Sequence, residues 1–299
     1  MNTVIKVSDE TKKKMIEHYK DKAREKTPPY AIFQAEEFDT VITLYESGKV
    51  MFQGTSADVD ADMWKEIDGQ ETNPIKEEEK KYYDTSAIGS DEVGTGDYFG
   101  PIVVTAAYVN KKDIKFLEQL KIMDSKKMTD DKIRKVAPDI IKKIKYKSII
   151  INNEEYNEKY NKDTNMNKIK AIMHNKVLTS LKNETKDQIE YIIIDEFCTE
   201  KRFYEYLNDT NSLKGLTFLQ KGESKNIAVA TASVISRYIF LLEFDKLSDT
   251  YHIPLPKGSG ANVDVIGQEL VEKHGKEVLN KIAKKNFSNT SRILKTMII

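Results

Sequence analysis

The chain of 299 residues has a single cysteine, Cys198. A disulfide framework and a zinc site built on several thiolates are both excluded within one chain, and this usage fits a reducing compartment. Net charge is also missing, because 48 Lys and Arg balance 48 Asp and Glu. The overall balance therefore gives no sign of a polyanionic partner. Uninterrupted apolar runs are short, and none approaches the roughly 20 residues of a membrane span. The opening MNTVIKVSDETKKK lacks the apolar stretch of a signal peptide. The expectation is a soluble, cytoplasmic chain with no membrane association. Four histidines are present, none at metal-ligand spacing from another.

Apolar residues make up 39% and charged residues 32%, enough for a core beneath a well-solvated surface. The length admits one large domain and one small one. Charge is spread unevenly. Residues 1–75 hold 10 Lys and Arg against 15 Asp and Glu, which leaves 38 against 33 for the remainder. The later part is mildly basic, which permits a phosphate-binding surface without demonstrating one.

Local patterns divide the chain in three. Thr3–Val7 reads as a strand, and Ser8 as the N-cap of a helix from Glu10 to about Glu25 with Met15, Ile16 and Tyr19 on one face, stopped by Pro28 and Pro29. Strand-like runs follow at Ala31–Ala35, Thr40–Tyr45 and Val50–Gly54, the last two joined by the turn Glu46-Ser47-Gly48-Lys49. A second helix spans Asp60–Ile67. Residues 1–67 thus form a small α+β unit, and the charged, proline-containing stretch 68–85 reads as a linker. In residues 86–299, Ala87–Asp91 and Ile102–Val109 read as strands joined by a glycine-rich turn. Asp130–Ile144 is helical around Pro138, Tyr146–Ile151 is a strand, Lys168–Leu181 a helix, Tyr191–Asp195 a strand and Ile227–Leu247 a long helix. This alternation predicts an α/β unit, a mixed sheet flanked by helices.

Acidic residues matter most where they end apolar strands. Asp91-Glu92 follows Ala87-Ile88-Gly89-Ser90, Asp195 ends Tyr191-Ile192-Ile193-Ile194, and Glu223 precedes the long helix. A carboxylate in such a place needs water, a donor or a cation, and several converging carboxylates favour hard divalent cations. Singly, each is more often a solvated turn residue. Asp91 and Glu92 also pose a geometric problem. Strand neighbours point to opposite faces, so the turn must redirect one of them if both serve one site. Gly94-Thr95-Gly96 can present backbone N–H groups to a ligand, although an ordinary hairpin turn has the same composition. Asp124-Ser125-Lys126-Lys127 reads either as a phosphate contact or as a solvated loop. Lys12-Lys13-Lys14 reads first as a solvated helix face.

Taken together, these strings are far more specific. Ser90-Asp91-Glu92-Val93-Gly94-Thr95-Gly96-Asp97-Tyr98-Phe99-Gly100-Pro101 resembles the signature of the type 2 ribonuclease H family. Asp124-Ser125-Lys126-Lys127-Met128, Ile194-Asp195, Lys221-Gly222-Glu223-Ser224-Lys225 with Ala230–Arg237, and Pro256-Lys257-Gly258-Ser259-Gly260 resemble its later motifs, in family order across about residues 86–265. Within the family, ribonuclease HII carries Gly-Arg-Gly in the first loop, Asp as the fourth acid, Gly-Tyr-Gly in the late loop and His four residues after that last Gly. Gly94-Thr95-Gly96, Glu223, Gly258-Ser259-Gly260 and Asp264 depart from each, and all four departures point to the ribonuclease HIII branch. That branch has a small N-terminal domain resembling TATA-binding protein, and Tyr30–Gly54 resembles it more loosely.

The resemblance implies a ribonuclease H-like fold and two-metal hydrolysis of the RNA strand of RNA–DNA hybrids, leaving 5′-phosphate and 3′-hydroxyl ends. It implies Asp91, Glu92, Asp195 and Glu223 as ligands of two Mg²⁺ ions, with Mn²⁺ as a substitute. The backbone of Gly94-Thr95-Gly96 would read 2′-hydroxyls. Ser125, Lys126, Ser233 and Ser259 are further substrate contacts, the N-terminal domain grips the hybrid duplex, and the chain acts as a monomer. Three alternatives stay open: excision of single embedded ribonucleotides as in ribonuclease HII, a non-catalytic hybrid-binding protein, and another nuclease of the wider superfamily such as an integrase.

Overall fold

The computed structural model describes residues 2–37, 40–54, 57–68, 81–123, 128–208 and 212–296. The chain divides into two units, Met1–Glu79 and Lys80–Ile299. Among the described residues of the first, strands β1 (Asn2–Lys6), β2 (Ala31–Glu37), β3 (Thr40–Tyr45) and β4 (Lys49–Gly54) form an antiparallel sheet in the order β1-β4-β3-β2. Alternate residues Ile5, Phe33, Ala35, Ile42, Leu44, Val50 and Phe52 point to one face. They are covered there by α1 (Asp9–His18), the Tyr19 that caps it, and α2 (Ala57–Ile67), through Met15, Tyr19, Ala57, Ala61 and Trp64. Register sets Val4 beside Met51, Met51 beside Thr43 and Thr43 beside Gln34, and the period of two sends this row to the other face.

Helix α1 departs from expectation. It starts as the sequence suggests, with the Ser8 hydroxyl accepting the Thr11 N–H at 3.2 Å, but it ends at His18 rather than near Glu25. Tyr19 turns inward, and its hydroxyl accepts the Trp64 indole N–H at 2.9 Å. Every side chain from Lys20 to Thr27 is exposed, so no apolar face holds a longer helix on the sheet. Ile16 is also on the wrong side, 42% exposed, while Met15 and Tyr19 are buried.

The second unit holds, among the described residues, a mixed sheet in the order β7-β6-β5-β8-β9. Its strands are β5 (Ala87–Val93), β6 (Ile102–Val109), β7 (Lys145–Ile151), β8 (Tyr191–Asp195) and β9 (Thr217–Leu219). β5, β6 and β7 pair antiparallel, whereas β8 runs parallel to both β5 and β9. The helices are α3 (Ile114–Gln119), α4 (Asp130–Lys143), α5 (Asn153–Lys159), α6 (Met166–Glu184), α7 (Glu200–Leu207), α8 (Gly222–Lys225), α9 (Ile227–Tyr251), α10 (Ala261–His274), α11 (Val278–Ile282) and α12 (Ser288–Thr296). Every residue of β6 is buried, as expected of a strand covered on both faces. Ala87, Val103, Ala107 and Ile193 meet α9 on one face. Ile88, Val104, Ala106, Ile192 and Ile194 meet α6 on the other.

Helix α9 corrects the expectation that no run is apolar enough to span a membrane: by length and composition it is, with mean hydropathy 1.6. Its apolarity has another cause, since 67% of that window is buried inside the unit. Gly89 permits the close fit of α9 on β5. A Cβ at that position would lie 2.2 Å from the backbone nitrogen of Val229.

Candidate active site

Strand β5 does not end at Asp91. It runs regularly through Glu92 to Val93, with Asp91 paired opposite Thr105 and Glu92 opposite Val104. The alternation that packs Gly89 on α9 therefore puts Asp91 on that same face. On β8, Ile193 belongs to the α9 face, and so does Asp195 two residues later. Because Gly89 pairs with Ile193 and Ser90 with Ile194 in parallel, Asp91 and Asp195 come out as neighbours on one face at the ends of adjacent strands.

Glu92 goes to the other face, and no turn redirects it. Its Oε1 accepts the Lys170 ammonium at 2.8 Å, and its Oε2 lies 2.9 Å from His174 Nε2. The other ring nitrogen of His174 is 2.9 Å from the Ser90 hydroxyl, so Ser90 and Glu92, two apart on β5, share one imidazole. Phe197 stacks on His174 with ring centroids 5.2 Å apart, and the Lys170 ammonium sits 4.1 Å from the same ring. Burial alone would raise the Glu92 pKa. The His174 hydrogen bond and charge, joined by Lys170, outweigh it and hold the carboxyl at about 2.

Asp91 has the opposite balance. Burial pushes its carboxyl well above the usual range, and the charges of Glu92 and then Asp195 push it further. A hydrogen bond with the Ser233 side chain and the Glu92 N–H, which donates to Oδ1 at 2.8 Å, only partly offset this. The Ser236 hydroxyl on α9 donates to the Asp91 carbonyl at 3.1 Å and fixes the strand end. Asp195 Oδ1 accepts the Gly222 N–H at 2.7 Å. That bond ties β8 to α8, which carries Glu223 in its first turn.

Asp91, Glu92, Asp195 and Ser233 border one cleft with Val93, Met128, Asp130, Ile133 and Arg237. Glu223 is buried next to the glycine that holds Asp195 and is not among the residues bordering the cleft. As the side chains stand, no three Asp, Glu, His or Cys groups among the described residues are gathered tightly enough to cage an ion. Glu92 is turned to its cations and Asp195 to Gly222. The donor set nonetheless suits a hard divalent cation: carboxylate oxygens only, in a place where the acids oppose one another's ionisation.

The glycine loop and the late loop meet. Gly258 N–H donates to Asp97 Oδ1 at 2.6 Å, and Tyr98 N–H donates to the Gly258 carbonyl at 2.8 Å. Thr95 is half-buried, while Gly96 and Ser259 are exposed. Asn289 donates to the Ser259 carbonyl at 3.1 Å and to Asp264 Oδ1 at 2.6 Å, and Arg292 clamps Asp264 as well. Ser125 and Lys126 lie outside the described residues.

Sequence reading missed Lys170 and His174. Their signal was a Lys and a His four apart on the buried face of α6, among Ile169, Met173, Val177 and Leu181. It also missed Asp130, which accepts from Arg237 Nε at 3.0 Å and from Lys257.

A mixed sheet with acids at the ends of adjacent central strands, backed by a long buried helix, is the arrangement of the ribonuclease H-like nucleases. The Ribonuclease HII family matches residues 88–290, and a domain of unknown function matches residues 2–77. Ribonuclease HIII of Bacillus cereus is 38% identical over 305 aligned positions, covering 98% of each chain. The crystal structure of Bst-RNase HIII in complex with Mn²⁺ superposes with a TM-score of 0.73 at 37% identity, covering 99% of both chains. RNase H3 of Aquifex aeolicus, at 20% identity and a TM-score of 0.57 over 96% of this chain, shares the fold. The chain belongs to the ribonuclease HIII family and is a ribonuclease H, a hydrolytic endoribonuclease.

Proposed function

We propose that the chain cuts the RNA strand of RNA–DNA hybrids internally, using two Mg²⁺ ions or Mn²⁺ in their place, and leaves 5′-phosphate and 3′-hydroxyl ends. One observation carries this reading. Asp91 and Asp195 are side by side with Glu92 on the same cleft, and the Asp91 carboxyl is pushed up by burial and by both neighbours. A site that opposes its own ionisation is completed by cations. Asp91, Glu92, Asp195 and Glu223 would hold them. When bound, the ions neutralise these acids and supply the Lewis acidity that phosphodiester hydrolysis needs.

The remaining work falls to the chain itself. Ser233 orients Asp91, and Lys170 with His174 keeps Glu92 ionised. The loop Gly94-Thr95-Gly96, open at Gly96, offers backbone groups to the 2′-hydroxyls that mark RNA. Ser125, Lys126 and Ser259 add contacts along the strand. The second face of the N-terminal sheet, where Val4 is exposed and Met51 and Gln34 are partly so, grips the duplex, and one copy of the chain suffices.

Three substrates test the reading: a continuous hybrid, a DNA duplex with one embedded ribonucleotide, and plain DNA. Ser259 offers no flat apolar face to stack on a deoxyribose at an RNA–DNA junction, so the site needs no junction. Efficient cutting of the continuous hybrid, poor cutting of the single ribonucleotide under Mg²⁺ and none of DNA are expected. Equal rates on the first two would assign the chain a ribonuclease HII-type activity, and cutting of none would leave it a binding protein.

A further inference from the structure

Lys284 is completely buried, and it does not border the acid cleft. Its ammonium donates to the carbonyl of Asp97 at 2.8 Å and to that of Gly100 at 2.6 Å. The backbone around it follows the same stretch. Lys284 N–H donates to the Tyr98 carbonyl at 2.9 Å, Gly100 N–H donates to the Ile282 carbonyl at 3.0 Å, and Phe99 forms an isolated antiparallel bridge with Ala283. The Asn153 amide adds a 2.9 Å bond to the Gly100 carbonyl. Keeping an ammonium away from water is costly. Burial pulls the Lys284 pKa from 10.5 down to about 7, against the opposing charge of Asp97. What the fold gains is geometric: two main-chain carbonyls drawn onto one donor, as onto a bound cation.

Those carbonyls close the loop that opens at Gly94. Both ends have left-handed backbone, φ 90° at Gly94 and 80° at Gly100. A Cβ on Gly94 would fall 2.1 Å from the Pro101 carbonyl oxygen, and one on Gly100 would fall 2.7 Å from the Phe244 ring. Between them, a Cβ on Gly96 would meet nothing within 4 Å. The loop is thus rigidly seated at its base and open at its tip. Asp97, one of the two residues that Lys284 holds, also carries the bond to Gly258, so the ammonium lies beneath the strip that joins both loops.

We propose that Lys284 is a positioning residue for substrate recognition: it fixes the Asp97–Gly100 backbone, and through it orients the Thr95–Gly96 tip and the Gly258–Ser259 loop against the ribose of the cut strand. The inference rests on the hybrid-cutting reading above. Lys284 itself touches neither the acids nor the substrate.

The test compares the full-length chain with Lys284→Met, which keeps the stem and loses every donor, and Lys284→Gln, which keeps a neutral donor. Hydrogen exchange without substrate should show roughly tenfold faster exchange at the amides of residues 95–100 in the Met variant. On the continuous hybrid, KM should rise about tenfold while kcat per folded molecule stays within about threefold. The penalty for replacing one ribose beside the cut by deoxyribose should shrink, and Gln should recover part of each effect. A purely structural role would lower the folded fraction and leave KM and the deoxyribose penalty as in the wild type; that result overturns the proposal. Failure of both variants to fold where the wild type folds makes Lys284 a folding requirement and equally overturns it. Should the wild type cut no hybrid, the functional reading fails separately, and the exchange measurement still decides whether Lys284 holds the loop.

Discussion

Replacing Asp91 by Asn separates what this residue costs the fold from what it gives the chemistry. The Asp91 carboxyl is buried and opposed by Glu92 and Asp195, so its folded-state pKa is raised. At low pH both folded and unfolded chains hold the proton, and the group contributes nothing. As pH rises above the usual 3.8, the unfolded chain ionises first and stability is lost, fully so once the folded-state value is passed. The amide removes that loss while keeping the shape. Without divalent cations at pH 7, Asp91→Asn should therefore be more stable than the wild type by about 1 kcal/mol. In a unit of this size that is a rise of about 2–4 °C in the Tm of the catalytic unit. The difference should vanish near pH 3. Saturating Mg²⁺ or Mn²⁺, at about 100 times its Kd, should stabilise the wild type by about 2.7 kcal/mol, and the variant should gain little of this. Its kcat on hybrid should fall by at least about 10²–10³-fold, the range seen on deleting one preorganised electrostatic group. Scanning calorimetry with and without cation, followed by single-turnover cleavage, measures all three. A variant less stable than the wild type in chelator, with an undiminished cation-induced rise and near-normal turnover, would refute the reasoning at its root.

Further outcomes follow from other parts of the structure. His174→Ala leaves the buried Glu92 carboxylate and the Ser90 hydroxyl short of a partner, and should destabilise the catalytic unit by about 3 kcal/mol; a change under 0.5 kcal/mol in urea unfolding would contradict the pairing. Because the folded pKa of Glu92 is held down at about 2 from the usual 4.5, its contribution is complete above pH 4.5 and lost as pH falls towards 2. Glu92→Gln should accordingly match the wild type in stability at pH 2 and fall behind it at pH 6, as read by acid titration of the unfolding midpoint. Removing residues 1–79 should raise the hybrid KM about tenfold or more with kcat within about threefold; equal KM values would deny the small unit its grip. Gly89→Ala should prevent close packing of α9 and cost about 3 kcal/mol or more, whereas Gly96→Ala should melt with the wild type.

The sheet and the placement of two acids were legible because both rest on a period of two. Apolar runs announce strands that are buried on both faces, and a parallel pair brings its C-terminal ends together, which is where Asp91 and Asp195 stand. The same period made Glu92 look awkward, and the expected remedy, a redirecting turn, is absent from the structure. Strand β5 stays regular, and Glu92 is served from the opposite face by Lys170 and His174, 78 and 82 residues away in the chain. No local pattern reports such a partner. Within α6 the two residues look like a polar interruption of an apolar stripe, and only the pairing of β5 beneath that helix reveals what they face.

The error over α1 has the same source. Helical spacing from Glu10 to Glu25 is real, but spacing says nothing about whether an apolar surface lies opposite to be covered, and from Lys20 to Thr27 every side chain is exposed. Composition alone is equally mute at α9, which would suit a lipid bilayer but whose surroundings are β5, β6 and α4. Lys284 also owes its place to a distant part of the chain. Its charge, read from sequence, suggests an exposed residue in the run Lys284-Lys285, and Lys285 is exposed as expected. Lys284 is drawn inside because the loop from Gly94 to Gly100, nearly 190 residues earlier, turns two carbonyls towards one point. A buried charge is thus informative in proportion to how poorly its own neighbourhood explains it, and the place to look for its reason is the backbone it holds.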